Sequence, residues 1–293
     1  MKFIEFREVI IENVKRYLPK EYEDWEVIEQ QIPKVNKCES AFFLIPKSLS
    51  GLSDITPIFY FSDLYSKYVS GRKIDTILRD IAKIITNDNQ PELFKEVDFS
   101  YDSVKDKIIL QVINKDINKE LLKDAVSRDC LDLAIIYRII LEDEEIEGSA
   151  IVNEQLILQW DKTEEDIYKV AYENTKKLRP FKVKSIMAAL GLKGEEKDDN
   201  LYVATNNGKE YGATAILYPE ILKEGVELLG DSFYIIPSSI HEVLLLKVDE
   251  RNTPKELAKL IKATNDNVLD KDDILSYKLY FYDKVNNEVT IAA

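Results

Sequence analysis

Leu201-Tyr202-Val203-Ala204-Thr205-Asn206-Asn207-Gly208 opens the stretch, Leu201 to Val248, whose reading decides the fold class. A short apolar run rich in strand formers meets Asn207-Gly208, a dipeptide that favours a tight turn with positive φ. Tyr211 to Leu217 is predicted to return as the second strand of a hairpin. Pro219 then sits where a helix can tolerate its missing N–H, Ile221, Leu222, Val226 and Leu229 form an inward stripe, and Gly230 closes the helix. Phe233 to Ile236 reads as a strand, Pro237-Ser238-Ser239-Ile240-His241-Glu242 as a turn, and Val243 to Val248 as a further strand. Strands joined by tight turns rather than by single helical crossovers indicate α+β architecture, with mostly antiparallel sheets built from hairpins and packed amphipathic helices.

The same logic extends in both directions. Towards the C-terminus, Thr253-Pro254-Lys255-Glu256 is a capping box opening a helix to about Ala263, and Tyr277 to Tyr282 pairs with Glu288 to Ile291 across Asn286-Asn287. Upstream, Leu131 to Leu141 is predicted to pair with Ala150 to Trp160 across an acidic tip. Thr163 caps a helix running to Leu178, and Val183 to Leu190 forms a short one. In the first half, a helix from Lys2 to Leu18 precedes strands at Glu26–Gln31, Ala41–Ile45 and Ile58–Phe61. Helices at Asp63–Val69 and Ile74–Ile85 follow, the second with isoleucines and leucine at helical spacing. Ile108 to Ile113 is a strand and Lys119 to Val126 a short helix. Polar breaks near Asn87–Pro91 and Asn114–Asn118 suggest two closely associated α+β regions, 1–118 and 119–293.

Composition narrows the function classes. The 293 residues carry 40 Lys and Arg against 54 Asp and Glu, a formal charge of −14. Such a balance opposes direct nucleic-acid binding and suits a basic partner. Cys38 and Cys130 are the two cysteines and lie far apart, so no disulfide framework or paired metal spacing exists. Charges run through the first residues, and no apolar run approaches a membrane span. A cytoplasmic protein without membrane attachment is expected.

The single histidine, His241, stands in the turn beside Ser239 and Glu242. This cluster is the candidate catalytic set, with His241 as general base. The spacing argues against it, because a hydroxyl two residues from its base rarely reaches the ring. Ser239-Ile240-His241-Glu242 also matches a capping box, a use of the same atoms that needs no chemistry. The acidic tip, with Glu142, Asp143, Glu144, Glu145 and Glu147, is the candidate protein-binding element. It lacks the alternating spacing and glycine of a calcium loop. Asp270, Asp272 and Asp273, after Asn265-Asp266-Asn267, fail the same pattern. Phosphate-loop, dinucleotide and zinc-protease motifs do not occur, and neither a metal nor another cofactor is expected. Tyr65, Tyr68, Tyr168 and Tyr172 could offer a stacking surface, but at helical spacing they suit the edge of a core.

Tyr234-Ile235-Ile236-Pro237-Ser238-Ser239-Ile240-His241-Glu242-Val243 resembles a string found in an uncharacterised bacterial family. That family is catalogued as a domain of unknown function and is common in anaerobic low-GC bacteria. Leu201 to Asn206, Leu217-Tyr218-Pro219, Thr56 to Phe61 and Asp132 to Tyr137 extend the resemblance over most of the chain. The resemblance brings no activity or catalytic residues with it.

From charge and the lack of an assembled catalytic set, the expected function is a non-enzymatic, acidic protein-binding module encoded by a phage or mobile element. Its specific form is an inhibitor of a nucleic-acid-guided host defence nuclease of the CRISPR type, occupying a basic surface. The alternatives are a hydrolase using His241 and a housekeeping protein with no discrete site.

Overall fold

The computed structural model describes residues 1–47, 57–86, 98–141, 148–192 and 200–293. The chain folds into two compact units, Met1–Val97 and Asp98–Ala293. The expected division after residue 118 therefore falls inside the second unit. The reason is β4 (Ile108–Asn114), which pairs along its whole length with β6 (Leu133–Ile140) on the far side of that position.

In the first unit, α1 (Phe3–Val14) is followed by an antiparallel hairpin of β1 (Trp25–Lys34) and β2 (Lys37–Pro46). A short β3 (Phe59–Tyr60) adds to β2, and α2 (Phe61–Val69) and α3 (Ile74–Thr86) complete the unit. Ile77, Leu78 and Ile81 of α3 repeat at helical spacing, so one stripe meets Phe6, Ile10 and Val14 of α1 and Phe42 and Leu44 of β2 in a single core. Tyr65 packs edge-on to Phe3 and Phe6 with ring centroids 5.1 and 5.3 Å apart. It and Tyr68 therefore border this core instead of forming a stacking platform.

The second unit is built on two antiparallel sheets. After a short α4 (Tyr101–Val104), β4 lies against β6, which also pairs with β5 (Ser127–Cys130) and β7 (Ser149–Ile151). Helices α5 (Glu154–Trp160) and α6 (Glu164–Leu178) come next. A six-stranded sheet then follows from β8 (Phe181–Ser185), β9 (Leu201–Asn206), β10 (Phe233–Ser239), β11 (Glu242–Lys247), β12 (Tyr280–Asp283) and β13 (Glu288–Ile291). Its order is β13-β12-β10-β11-β9-β8. The remaining helices are α7 (Ile186–Ala189), α8 (Pro219–Leu229) and α9 (Pro254–Asn267). The expected α+β class with antiparallel sheets is the observed one.

Every residue of β4 and β6 is buried, which explains their near-continuous apolar sequences. The edge of β4 that faces away from β6 is closed by side chains. Leu110 N–H donates to Thr175 Oγ1 of α6 at 2.8 Å, and Val112 N–H donates to Thr214 Oγ1 at 3.3 Å. Buried amides need acceptors, and here hydroxyls take the place of another strand.

Several local expectations give way. Gly212–Leu217 is a 3-10 helix, and β9 pairs with β11 and β8 instead. A methyl group at Gly212 would collide with the His241 carbonyl and Thr205 Oγ1, so this residue is fixed by what packs on it. Positive φ occurs at Lys209 (56°) and Tyr211 (54°), not at Asn207-Gly208. The strand expected over Ala150–Trp160 stops at Ile151, because Asn153 accepts Leu156 N–H and starts α5. Lys119–Val126 contains only a 3-10 turn at Leu121–Lys123, and Val183–Leu190 divides between β8 and α7.

Candidate functional site

The turn that carries the histidine joins β10 to β11. Ser239 pairs with Glu242, leaving Ile240 and His241 as a two-residue loop. Between Ile236 and Ser239 the register shifts, so β10 carries a bulge at Pro237 and Ser238. Proline has no N–H to give a ladder, and a bulge is where a strand accommodates it.

Four backbone groups hold the loop. Ile240 N–H donates to the Asp273 carbonyl at 2.9 Å, and the Ile240 carbonyl accepts Ala213 N–H at 3.3 Å. His241 N–H donates to Ser239 Oγ at 3.0 Å, and the His241 carbonyl accepts Thr205 Oγ1 at 2.8 Å. The loop is thus tied to β9, to the 3-10 helix and to the segment Lys271–Asp273. Ser239 does what turn serines do, accepting an N–H two residues on. The capping-box reading is corrected, since no helix follows and Glu242 instead accepts Ser238 Oγ at 3.4 Å.

The imidazole is about two-thirds covered, with 35% of the side chain exposed. Nδ1 accepts Tyr211 N–H at 3.4 Å, and Nε2 lies 3.3 Å from Asp273 Oδ1. This network places the proton on Nε2, donating to the carboxylate. The Tyr211 ring lies nearly parallel to the imidazole, with centroids 6.3 Å apart. A general base needs one ring nitrogen facing the group that it deprotonates. Here both are engaged, and the Ser239 oxygen serves backbone. The structure therefore brings Ser239, His241 and Glu242 together as a turn, without the hydrogen bond between hydroxyl and imidazole that nucleophilic catalysis requires.

The sequence reading missed Asp273, Tyr211 and Thr205 as neighbours of His241. In the run Asp270-Lys271-Asp272-Asp273, whose spacing fails the calcium-loop pattern, the carboxylates diverge. Asp270 Oδ1 accepts Asp272 N–H, Asp273 faces His241, and Asp266 pairs with Lys262. Among the described residues, no three His, Cys, Asp or Glu side chains are grouped to hold a metal ion.

Glu142, Asp143, Glu144, Glu145 and Glu147 lie outside the described residues. Tyr168 and Tyr172 of α6 are engaged within the chain. Arg128 stands 3.9 Å from the Tyr168 ring centre, and Tyr172 stacks on Tyr218 at 4.5 Å. Burial, reinforced by the nearby Glu220 carboxylate, pushes the Tyr172 hydroxyl up to about 12. Cys38 and Cys130 are both free thiols.

The sequence profile of a family of unknown function, DUF5688, matches residues 3–284. The chain belongs to this family. No curated protein and no solved structure matches it. For this DUF5688 member the match covers both folding units, including the histidine turn and its partners Thr205, Tyr211 and Asp273. Among the described residues no helix is long and apolar enough to cross a membrane.

Proposed function

We propose that this DUF5688 protein is a non-enzymatic, acidic module that binds the basic surface of a protein partner, in the cytoplasm. The observation that carries the reading is an uneven charge distribution. Residues 1–97 hold 14 Lys and Arg against 16 Asp and Glu, whereas residues 98–293 hold 26 against 38. Twelve of the fourteen net negative charges thus belong to one unit. Complementary charge speeds encounter and selects partners. The commitment of both His241 nitrogens to internal partners supports binding over hydrolysis.

The test is capture of partners by the full-length protein from host extract, followed by salt titration. A basic partner is expected, with affinity falling about tenfold or more between low and elevated salt. Neutralising Glu142, Asp143, Glu144, Glu145 and Glu147 together should weaken capture. A partner of neutral charge whose binding ignores salt would end this reading. Its specific form is inhibition of a nucleic-acid-guided defence nuclease by a phage- or mobile-element-encoded protein in a low-GC bacterial host. Guided DNA cleavage that continues at saturating protein would eliminate that form.

A further inference from the structure

Arg138 lies within the fully covered strand β6 and is only 9% exposed. Its Nε donates to Gln111 Oε1 at 2.9 Å and its Nη1 to Ser149 Oγ at 2.7 Å. Both acceptors are neutral, and a guanidinium has five N–H donors. Its carbon stands 4.9 Å from the centre of the Tyr211 ring, the same ring that lies beside His241. Among the described residues no carboxylate is ion-paired with it. Glu210 acts on it from beyond ion-pair distance, and burial holds its pKa below the usual arginine range. The adjacent Gln111 is fully buried, and its Nε2 donor has no hydrogen-bond partner.

A buried cation with only neutral partners is costly, and a buried amide donor without an acceptor adds to that cost. Both deficits have the same sign. The Gln111 Nε2 donor lacks an acceptor, and among the described residues the arginine has no ion-paired carboxylate. We propose that Arg138 and Gln111 form a binding site for the carboxylate group of a small ligand, flanked by Tyr211. A carboxylate is planar, carries one negative charge and presents two oxygens, which suits a guanidinium beside an amide N–H. A phosphate dianion fits less well. Its desolvation cost rises with the square of its charge, and the chain is already at −14. The site stands apart from the protein-binding reading, since a basic surface offers no such group.

The experiment uses the full-length protein, thermal denaturation and calorimetric titration, with sodium acetate, phosphate and chloride compared at constant ionic strength. Acetate is expected to raise the melting temperature saturably above chloride, and phosphate less so. Arg138→Met should weaken acetate binding about ten- to a hundred-fold, the range for hydrogen bonds to a charged group. In case that variant fails to fold, two others carry the test. Gln111→Glu supplies an internal carboxylate beside Nε, so it should fold, melt at or above the wild-type temperature and lose the acetate response. Glu210→Gln removes a nearby like charge and should tighten acetate binding about two- to three-fold. Acetate indistinguishable from chloride in the wild type, or an acetate response that persists in Gln111→Glu, overturns the proposal. Phosphate binding more tightly than acetate overturns the carboxylate assignment.

Discussion

Two hairpins in this molecule close with loops of the same length and opposite character. In β1–β2 the paired residues Lys34 and Lys37 leave Val35 and Asn36, and Asn36 takes a left-handed φ of 61°. Asparagine tolerates that conformation, so local backbone preference fixes the turn. In β10–β11 the loop is Ile240-His241, and neither residue has positive φ. A two-residue loop without left-handed residues fits the twist of its strands poorly. There a bulge in β10 and bonds from three other segments hold the loop. One turn is written in its own residues and the other in its surroundings, so the second concentrates constraint on a few distant contacts.

That difference can be broken deliberately. Gly212→Ala should have the largest effect, because the new methyl meets the His241 carbonyl and Thr205 Oγ1. A loss of about 3 kcal/mol in chemical denaturation is expected. Gly208→Ala, with no neighbour nearer than 3.7 Å, and Asn36→Gly should each stay within about 0.5 kcal/mol. Equal losses at Gly212 and Gly208 would erase the contrast. Next comes Thr205→Val, which keeps shape and removes the donor to the His241 carbonyl; about 1 kcal/mol is expected, since that partly buried acceptor loses its partner. The smallest effect belongs to the ring itself. A double-mutant cycle of His241→Ala and Asp273→Ala should give a coupling below about 1 kcal/mol, as both side chains are about one-third exposed. A coupling several times larger would mean that the imidazole, and not the backbone around it, holds the turn.

Sequence periodicity and capping made much of the fold legible. Pro219 and Gly230 bound α8, with the Gly230 N–H donating to the Val226 carbonyl. Thr163 with Asp166 and Thr253 with Glu256 form the capping boxes of α6 and α9. The isoleucines of α3 and the apolar run of β4 also fall where their spacing places them. Gly212–Leu217 did not yield to this reasoning, because Gly212, Ala213, Thr214, Ala215 and Ile216 pack on all sides and carry no diagnostic period. What shapes that segment is the close approach of His241, a tertiary fact. The α5 signal was present in Asn153 but was masked by Leu156, Ile157 and Leu158, three apolar residues that suit a strand equally well. At the histidine turn the chemistry-bearing residues were visible, yet their partners were not. Asp273 and Thr205 are remote in sequence and meet only after β9, β11 and the Lys271–Asp273 turn have assembled.

The threonine-closed edge of β4 has a consequence for how protons leave this protein. The Leu110 and Val112 amides are sealed by hydroxyls drawn from 65 and 102 residues away. Release of these amides requires β4 to part from α6 at Leu110 and from the 3-10 helix beside the histidine turn at Val112. These two amides serve as built-in reporters of that separation within the second unit.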